Sequence, residues 1–328
     1  MASPGPTTPR GRALRRAVLA LLALFGVATV LALVLRSGSD SDLPPVTVPT
    51  GATDGTAVRR YDLRSTSAGR RLVQTVVLPP GDLRGRPLLV FLHARAQDPA
   101  SLAQAPLRAA LARLGDRAPV VLLPADDGGS YWHDRDSGSW GRYVLYEAIP
   151  TVLRRYGLDG SRMAIGGISM GGAGAFALAR DAPGRFCAVG GHSAALWSAA
   201  SKADPGAYDD AEDFARNEPV GPVRREETQR YGVPLWLDVG TADRFLPADR
   251  EFARLLRSRG ERVAFSTGPG GHEPRYWQRN MGRYLDFYAG ALADCGPRDP
   301  GAAVSRRGSR GSGRRASRRL TGGGTLGQ

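Results

Sequence analysis

Histidine, cysteine and lysine are all scarce in this chain, and each scarcity narrows what it can be. The two cysteines, Cys187 and Cys295, stand far apart, and the four histidines, His93, His133, His192 and His272, never occur at i, i+4 spacing. Neither set has the pattern of a metal site, so no metal is expected. Cys187 sits in the apolar run Phe186-Cys187-Ala188-Val189 and reads as a small buried hydrophobe. A bridge to Cys295 stays open, because an oxidising compartment would permit it. No phosphate loop or dinucleotide fingerprint precedes a helix, so no cofactor is expected either. Lysine occurs once, as Lys202, and arginine carries the remaining positive charge, a bias that fits GC-rich coding better than function.

The net charge of +14 suggests nucleic-acid binding until its distribution is read. Residues 1–16 contribute +4 and residues 296–328 contribute +7, leaving +3 for everything between. A nearly neutral body excludes the basic face that a nucleic-acid partner needs.

Charge is missing altogether from Ala17 to Leu35, where Thr29 is the only hydroxyl. At about 1.5 Å per residue this run spans roughly 28 Å as a helix, enough for a hydrocarbon core. Arg10, Arg12, Arg15 and Arg16 precede it and only Arg36 follows closely. The positive-inside bias then puts everything after residue 36 outside a single-pass anchor. A cleaved signal leading to secretion is the alternative; the run is long for that, and no A-x-A site follows. The expected organisation is a basic cytoplasmic segment at 1–16, a span at 17–35 and a Ser/Gly/Pro/Thr/Asp stalk at 36–56. A folded domain at 57–295 and an Arg/Gly/Ser tail at 296–328 complete it. The tail cannot form a core, and its arginines suit contact with an anionic surface.

Within 57–295, apolar runs alternate with amphipathic stretches. Strands are expected at Arg71–Leu78, Pro87–Leu92, Pro119–Leu123, Met163–Ile168, Ala188–Gly191, Pro234–Val239 and Val263–Thr267. Helices are expected at Leu102–Leu114, Tyr143–Tyr156 despite Pro150, Gly172–Arg180, Ala248–Arg259 and Tyr276–Ala293. This alternation predicts an α/β domain with a mainly parallel sheet and helices on both faces. Ligands on such sheets bind beyond the carboxyl ends of the strands.

Gly167-Ile168-Ser169-Met170-Gly171 stands at one such end, between a strand and an alanine-rich helix. G-x-S-x-G in that setting is the nucleophile elbow of the α/β-hydrolase fold, where glycines make room for a sharp turn that lifts the serine hydroxyl. Serine needs a general base, and the fold runs Ser, acid, His along the chain. His93 and His133 precede Ser169, and His192 follows too soon, which leaves His272 on the glycine-rich loop before the last helix. The acid belongs after the preceding strand. Asp243, on the loop beyond the strand end, is preferred to Asp238 inside it. One oxyanion donor is expected at the amide of Met170, and the other in the turn after Leu92, at Ala94 or Arg95.

That turn, His93-Ala94-Arg95-Ala96-Gln97-Asp98, resembles the H-G-x oxyanion loop of the esterase D-like α/β-hydrolases, with Ala94 in the usual glycine's place. Arg95-Ala-Gln-Asp98, Ser169-Met-Gly-Gly172 and His272-Glu-Pro-Arg-Tyr-Trp277 also resemble the secreted mycolyltransferases of that family. The likeness extends over most of 70–293. Those transferases carry glutamate where Asp243 stands, so the plain esterase branch, which includes S-formylglutathione hydrolases, is the better match. The resemblance implies hydrolysis of a small-molecule or lipid ester, with acyl transfer to a sugar or lipid hydroxyl as the alternative. A catalytically dead binding protein on the same fold is a third reading, disfavoured by the complete Ser, Asp and His set. The insertion 196–232, with Trp197, Tyr208, Phe214 and the run Asp209–Asp213, is read either as a pocket wall or as a helix pair with a solvated acidic face. Tyr131–Asp134 could border the same cleft.

Overall fold

The computed structural model describes residues 46–47 and 54–296. The basic segment, the apolar run and the tail beyond residue 296 lie outside these residues, as does most of the stalk. Among the described residues no helix is long and apolar enough to cross a membrane.

The strands are β1 (Val46–Thr47), β2 (Ala57–Ser65), β3 (Arg70–Leu78), β4 (Leu88–Leu92), β5 (Val120–Leu123), β6 (Asp134–Arg135), β7 (Gly138–Ser139), β8 (Met163–Ile168), β9 (Val189–His192), β10 (Leu235–Gly240) and β11 (Val263–Gly268). Nine of them form one sheet in the order β1-β2-β3-β5-β4-β8-β9-β10-β11, while β6 and β7 make a separate ribbon. Pairings from β1 to β5 are antiparallel, and those from β5 through β4 to β11 are parallel.

β4 shows why a strand covered on both faces reads as an unbroken apolar run. Leu88, Val90 and Leu92 enter one core, Leu89 and Phe91 the other, and all five are fully buried. Helix α1 (Ala105–Leu114) and the last helix, α8 (Pro274–Ala293), cover the Phe91 face through Leu107, Leu111, Tyr284 and Leu285. The opposite face packs under α2 (Trp140–Tyr143), α3 (Ile149–Tyr156), α4 (Met170–Asp181) and α7 (Leu246–Ser258). Helices do lie on both faces.

Three features depart from the sequence pattern. β2 is absent from the expected strands, because Arg59, Arg60, Asp62 and Arg64 break its apolar alternation. It lies next to the sheet edge, where one face stays wet and long arginine stems suffice. The sheet also reaches back into the stretch read as stalk, since β1 pairs with β2 and Arg108 binds Asp54 at 3.1 Å. The helical run around Pro150 survives through a π turn at Val144–Ala148, in which the Ile149 N–H reaches the Val144 carbonyl five residues back. This shift in register just ahead of the proline accommodates its missing donor.

The question left open for Cys187 is answered by a bridge. Cys187 is buried, as its apolar run requires, and it is bonded to Cys295 with the Cα atoms 5.9 Å apart. The bridge fastens the end of α8 to the segment entering β9.

Candidate active site

The elbow owes its shape to what cannot fit beside it. Ser169 takes φ 55° and ψ −115° between β8 and α4, a strained conformation for a residue with a side chain. A Cβ on Gly167 would lie 2.5 Å from the Gly171 backbone, and one on Gly171 would lie 2.2 Å from the Leu92 carbonyl oxygen. Only glycine permits β4, β8 and the head of α4 to close together there. The turn is fixed by the Ser169 N–H donating to the His192 carbonyl at 2.9 Å. Gly172 lets α4 close on Ala194. Gly174 makes room for the Trp132 side chain.

Three side chains from three strand ends meet in one hydrogen-bonded line. Ser169 Oγ lies 2.8 Å from His272 Nε2, and His272 Nδ1 lies 2.9 Å from Asp243 Oδ2. The loops that carry the last two are tied together, with the Thr241 N–H on the Gly268 carbonyl and the Ala242 N–H on the Gly270 carbonyl at 2.8 and 2.9 Å. Burial works against the Asp243 carboxylate. Hydrogen bonds from His272 and the Phe245 N–H outweigh it and hold the carboxyl below its usual pKa. The His272 ring is flanked by Phe245 and Trp277 at centroid distances of 5.0 and 5.1 Å. The Trp277 indole N–H is in turn held by Ser193 Oγ at 3.0 Å.

The remaining candidates lie apart from this line. Asp238 accepts from Ser266 Oγ at 2.6 Å and from the Tyr284 hydroxyl at 2.8 Å, inside the core under the sheet. His192 is stacked on Tyr284 with Nε2 3.0 Å from the Tyr288 hydroxyl, and burial first, with Arg283 second, drives its pKa well down. His133 Nε2 meets Asp213 at 3.1 Å. His93 braces the turn after β4, with Nδ1 2.9 Å from the Ala94 carbonyl and Nε2 3.4 Å from Asp126.

Met170 is buried at the head of α4, where a helix amide has no intrahelical acceptor. Ala94 is buried and Arg95 exposed in the turn that follows β4. The Ala94 N–H already has an acceptor, Gln97 Oε1 at 3.2 Å. Beside this turn a mostly apolar cleft of about 230 Å³ opens between Leu102, Leu107, Ile168, Trp277 and Met281.

The insertion forms two short helices, α5 (Ala211–Asn217) and α6 (Val220–Arg224). Its acidic run is not simply solvated, because Asp209 binds Arg135 at 2.9 Å and Asp213 binds His133 and Asn217. Trp197 packs on Tyr131 and on Phe245, so an aromatic chain leads from the insertion to the His272 ring. Ser193 and Asp249, both buried near the line, were not legible in advance. Nothing local in the sequence marks a residue that acts through a neighbour's side chain.

A family model described as "Putative esterase" matches residues 65–287 of the chain. No curated protein matches it. Among solved structures, a ferulic acid esterase is 23% identical, with 72% of this chain and 98% of that one covered at a TM-score of 0.62. An S-formylglutathione hydrolase from Agrobacterium tumefaciens is 19% identical over 75% and 99% of the two chains, with a TM-score of 0.62. MPT51 of Mycobacterium tuberculosis is 19% identical over 71% and 98%, with a TM-score of 0.55. At such identities these three share the fold.

Proposed function

This chain belongs to that esterase family, and from that footing we propose that it hydrolyses carboxylic esters through an acyl intermediate on Ser169. The observation that carries the reading is the continuous Ser169–His272–Asp243 line at the elbow. In this reading His272 Nε2 takes the hydroxyl proton as Ser169 Oγ attacks the ester carbonyl. Asp243, buried and held ionised, fixes the ring so that Nδ1 carries its hydrogen, and it stabilises the imidazolium that forms. The oxyanion is met by the Met170 N–H at the head of α4, with the Ala94 N–H as second donor. His272 then protonates the leaving alcohol, and water, activated by the same imidazole, releases the acid. The apolar cleft beside Gln97 and Ile168 suits a small apolar acyl group, being below the usual size of pockets for drug-sized ligands. We further propose that residues 17–35 anchor the chain and hold its hydrolase domain outside the cytoplasmic membrane.

The test compares three substitutions in the full-length protein with p-nitrophenyl esters and a fluorophosphonate probe. Ser169→Ala should abolish both hydrolysis and labelling. Asp243→Asn should lower kcat by about 10³–10⁴-fold through loss of the required tautomer. Asp238→Asn should act on stability, with kcat within about tenfold of the unsubstituted protein. Equal labelling of Ser169→Ala, or a larger kcat loss for Asp238→Asn than for Asp243→Asn, would remove this assignment.

A further inference from the structure

A buried N–H must find an acceptor, and Ala94 finds one inside its own turn. Its N–H donates to Gln97 Oε1 at 3.2 Å, while the Gln97 N–H donates back to the Ala94 carbonyl at 3.2 Å. If Ala94 supplies an oxyanion donor, that donor is occupied before any substrate arrives. Backbone motion cannot readily free it. The Ala94 carbonyl is also held by His93 Nδ1 at 2.9 Å, and the Ala96 N–H is held by the Gly128 carbonyl at 2.7 Å. What can move is the Gln97 side chain, which is half-buried and has no other hydrogen bond among the described residues. That same side chain lines the apolar cleft, opposite Leu107, Trp277 and Met281.

Resting on the reading of Ser169 as the acylated nucleophile, we propose that Gln97 is a positioning residue that couples this cleft to the oxyanion hole. With the cleft empty, the carboxamide holds the Ala94 N–H. An apolar acyl chain entering the cleft displaces the carboxamide, and the N–H, held in place by its turn, is left free to meet the substrate oxygen. The acyl chain is the fitting occupant because it stays bound through the acyl-enzyme stage, whereas the alcohol must leave past the half-exposed His272. The exchange favours the transition state. A neutral ester carbonyl competes evenly with the neutral carboxamide, but a developing oxyanion makes a charge-assisted bond about twice as strong. Esters too short to reach Gln97 must break its bond without help, so the device selects for acyl length.

The experiment uses the full-length protein and two variants, Gln97→Met, which keeps the bulk and removes the acceptor, and Gln97→Glu, which keeps the acceptor and adds charge. Hydrogen exchange at the Ala94 amide is followed by mass spectrometry of the peptide around it, and kcat/KM is measured on p-nitrophenyl acetate and hexanoate. In Gln97→Met, Ala94 should exchange faster. Acetate hydrolysis should rise about fivefold, the factor corresponding to one neutral hydrogen bond of about 1 kcal/mol, and hexanoate hydrolysis should stay within about twofold. Gln97→Glu should lower hydrolysis of the acetate ester. Unchanged exchange in Gln97→Met, or equal losses on both esters, would overturn the coupling and leave Gln97 a structural part of the turn. Faster exchange without Ser169-dependent hydrolysis of either ester would instead overturn the esterase reading, and the coupling with it.

Discussion

Asp249, on α7, is fully buried with one oxygen accepting the Ala194 N–H at 3.1 Å and the other without a partner among the described residues. Burial first, and the nearby Asp243 charge second, raise its pKa well above the ordinary carboxyl value. The folded state therefore binds this proton more tightly than the unfolded chain does. The group supports folding below the unfolded value of 3.8 and loses that support as pH rises toward the folded value. At neutral pH it burdens the fold relative to an uncharged isostere. Asp249→Asn keeps an acceptor for Ala194 and should raise Tm at pH 7, with the gain shrinking as pH falls toward 4. Each tenfold difference in proton affinity is worth about 1.4 kcal/mol, or roughly 2–4 °C per kcal/mol in a domain of this size. Thermal unfolding across that pH range checks it, and a lower Tm at pH 7 would contradict it. One buried carboxyl thus has its pKa raised close to another whose pKa is lowered, a contrast set by partners rather than by residue type.

Among the elements, α8 does most to connect the parts. Its first turns carry Tyr276 and Trp277 toward the site, its middle lays Tyr284 and Tyr288 beneath the sheet, and Cys295 just beyond its end is bonded to Cys187. The bridge closes a loop of 108 residues that includes the insertion and both the Asp243 and the His272 loops. A loop that long loses much unfolded-state entropy when closed, typically worth about 2–4 kcal/mol. Replacing both cysteines by alanine should lower denaturant stability by that amount and leave kcat on a short ester at 25 °C nearly unchanged. A double variant with unchanged stability would mean that the helix end is held by its apolar packing alone. The elbow is the opposite kind of element. It was legible in sequence because sterics permit so few residues at Gly167 and Gly171, whereas β2 was not, because an edge-proximal strand tolerates arginine on its wet face.

For the molecule as a whole, parallel strands in the order β4-β8-β9-β10-β11 bring their carboxyl ends side by side, and the candidate site stands on that row. We propose that residues 17–35 set where this unit stands in the cell. If they anchor it with the domain outside, protease added to intact, wall-stripped cells should digest the domain, and complete protection would reverse the proposed orientation. The sequence by itself determined the alternation of strands and helices, because burial on two faces demands unbroken apolar runs. It also singled out Ser169 by its glycines, and His272 by the scarcity and order of the histidines. Asp243 was favoured over Asp238 by position alone. Only the tertiary structure decided which partners each carboxylate has, with His272 for Asp243 and with Ser266 and Tyr284 for Asp238. It also decided that Cys187 reaches Cys295, that the acidic run of the insertion binds Arg135 and His133, and that Gln97 closes on Ala94. The reason is the same throughout. Periodicity and backbone sterics are local and are written residue by residue, whereas the partner of a polar side chain is set by which distant segments the sheet order brings within about 3 Å.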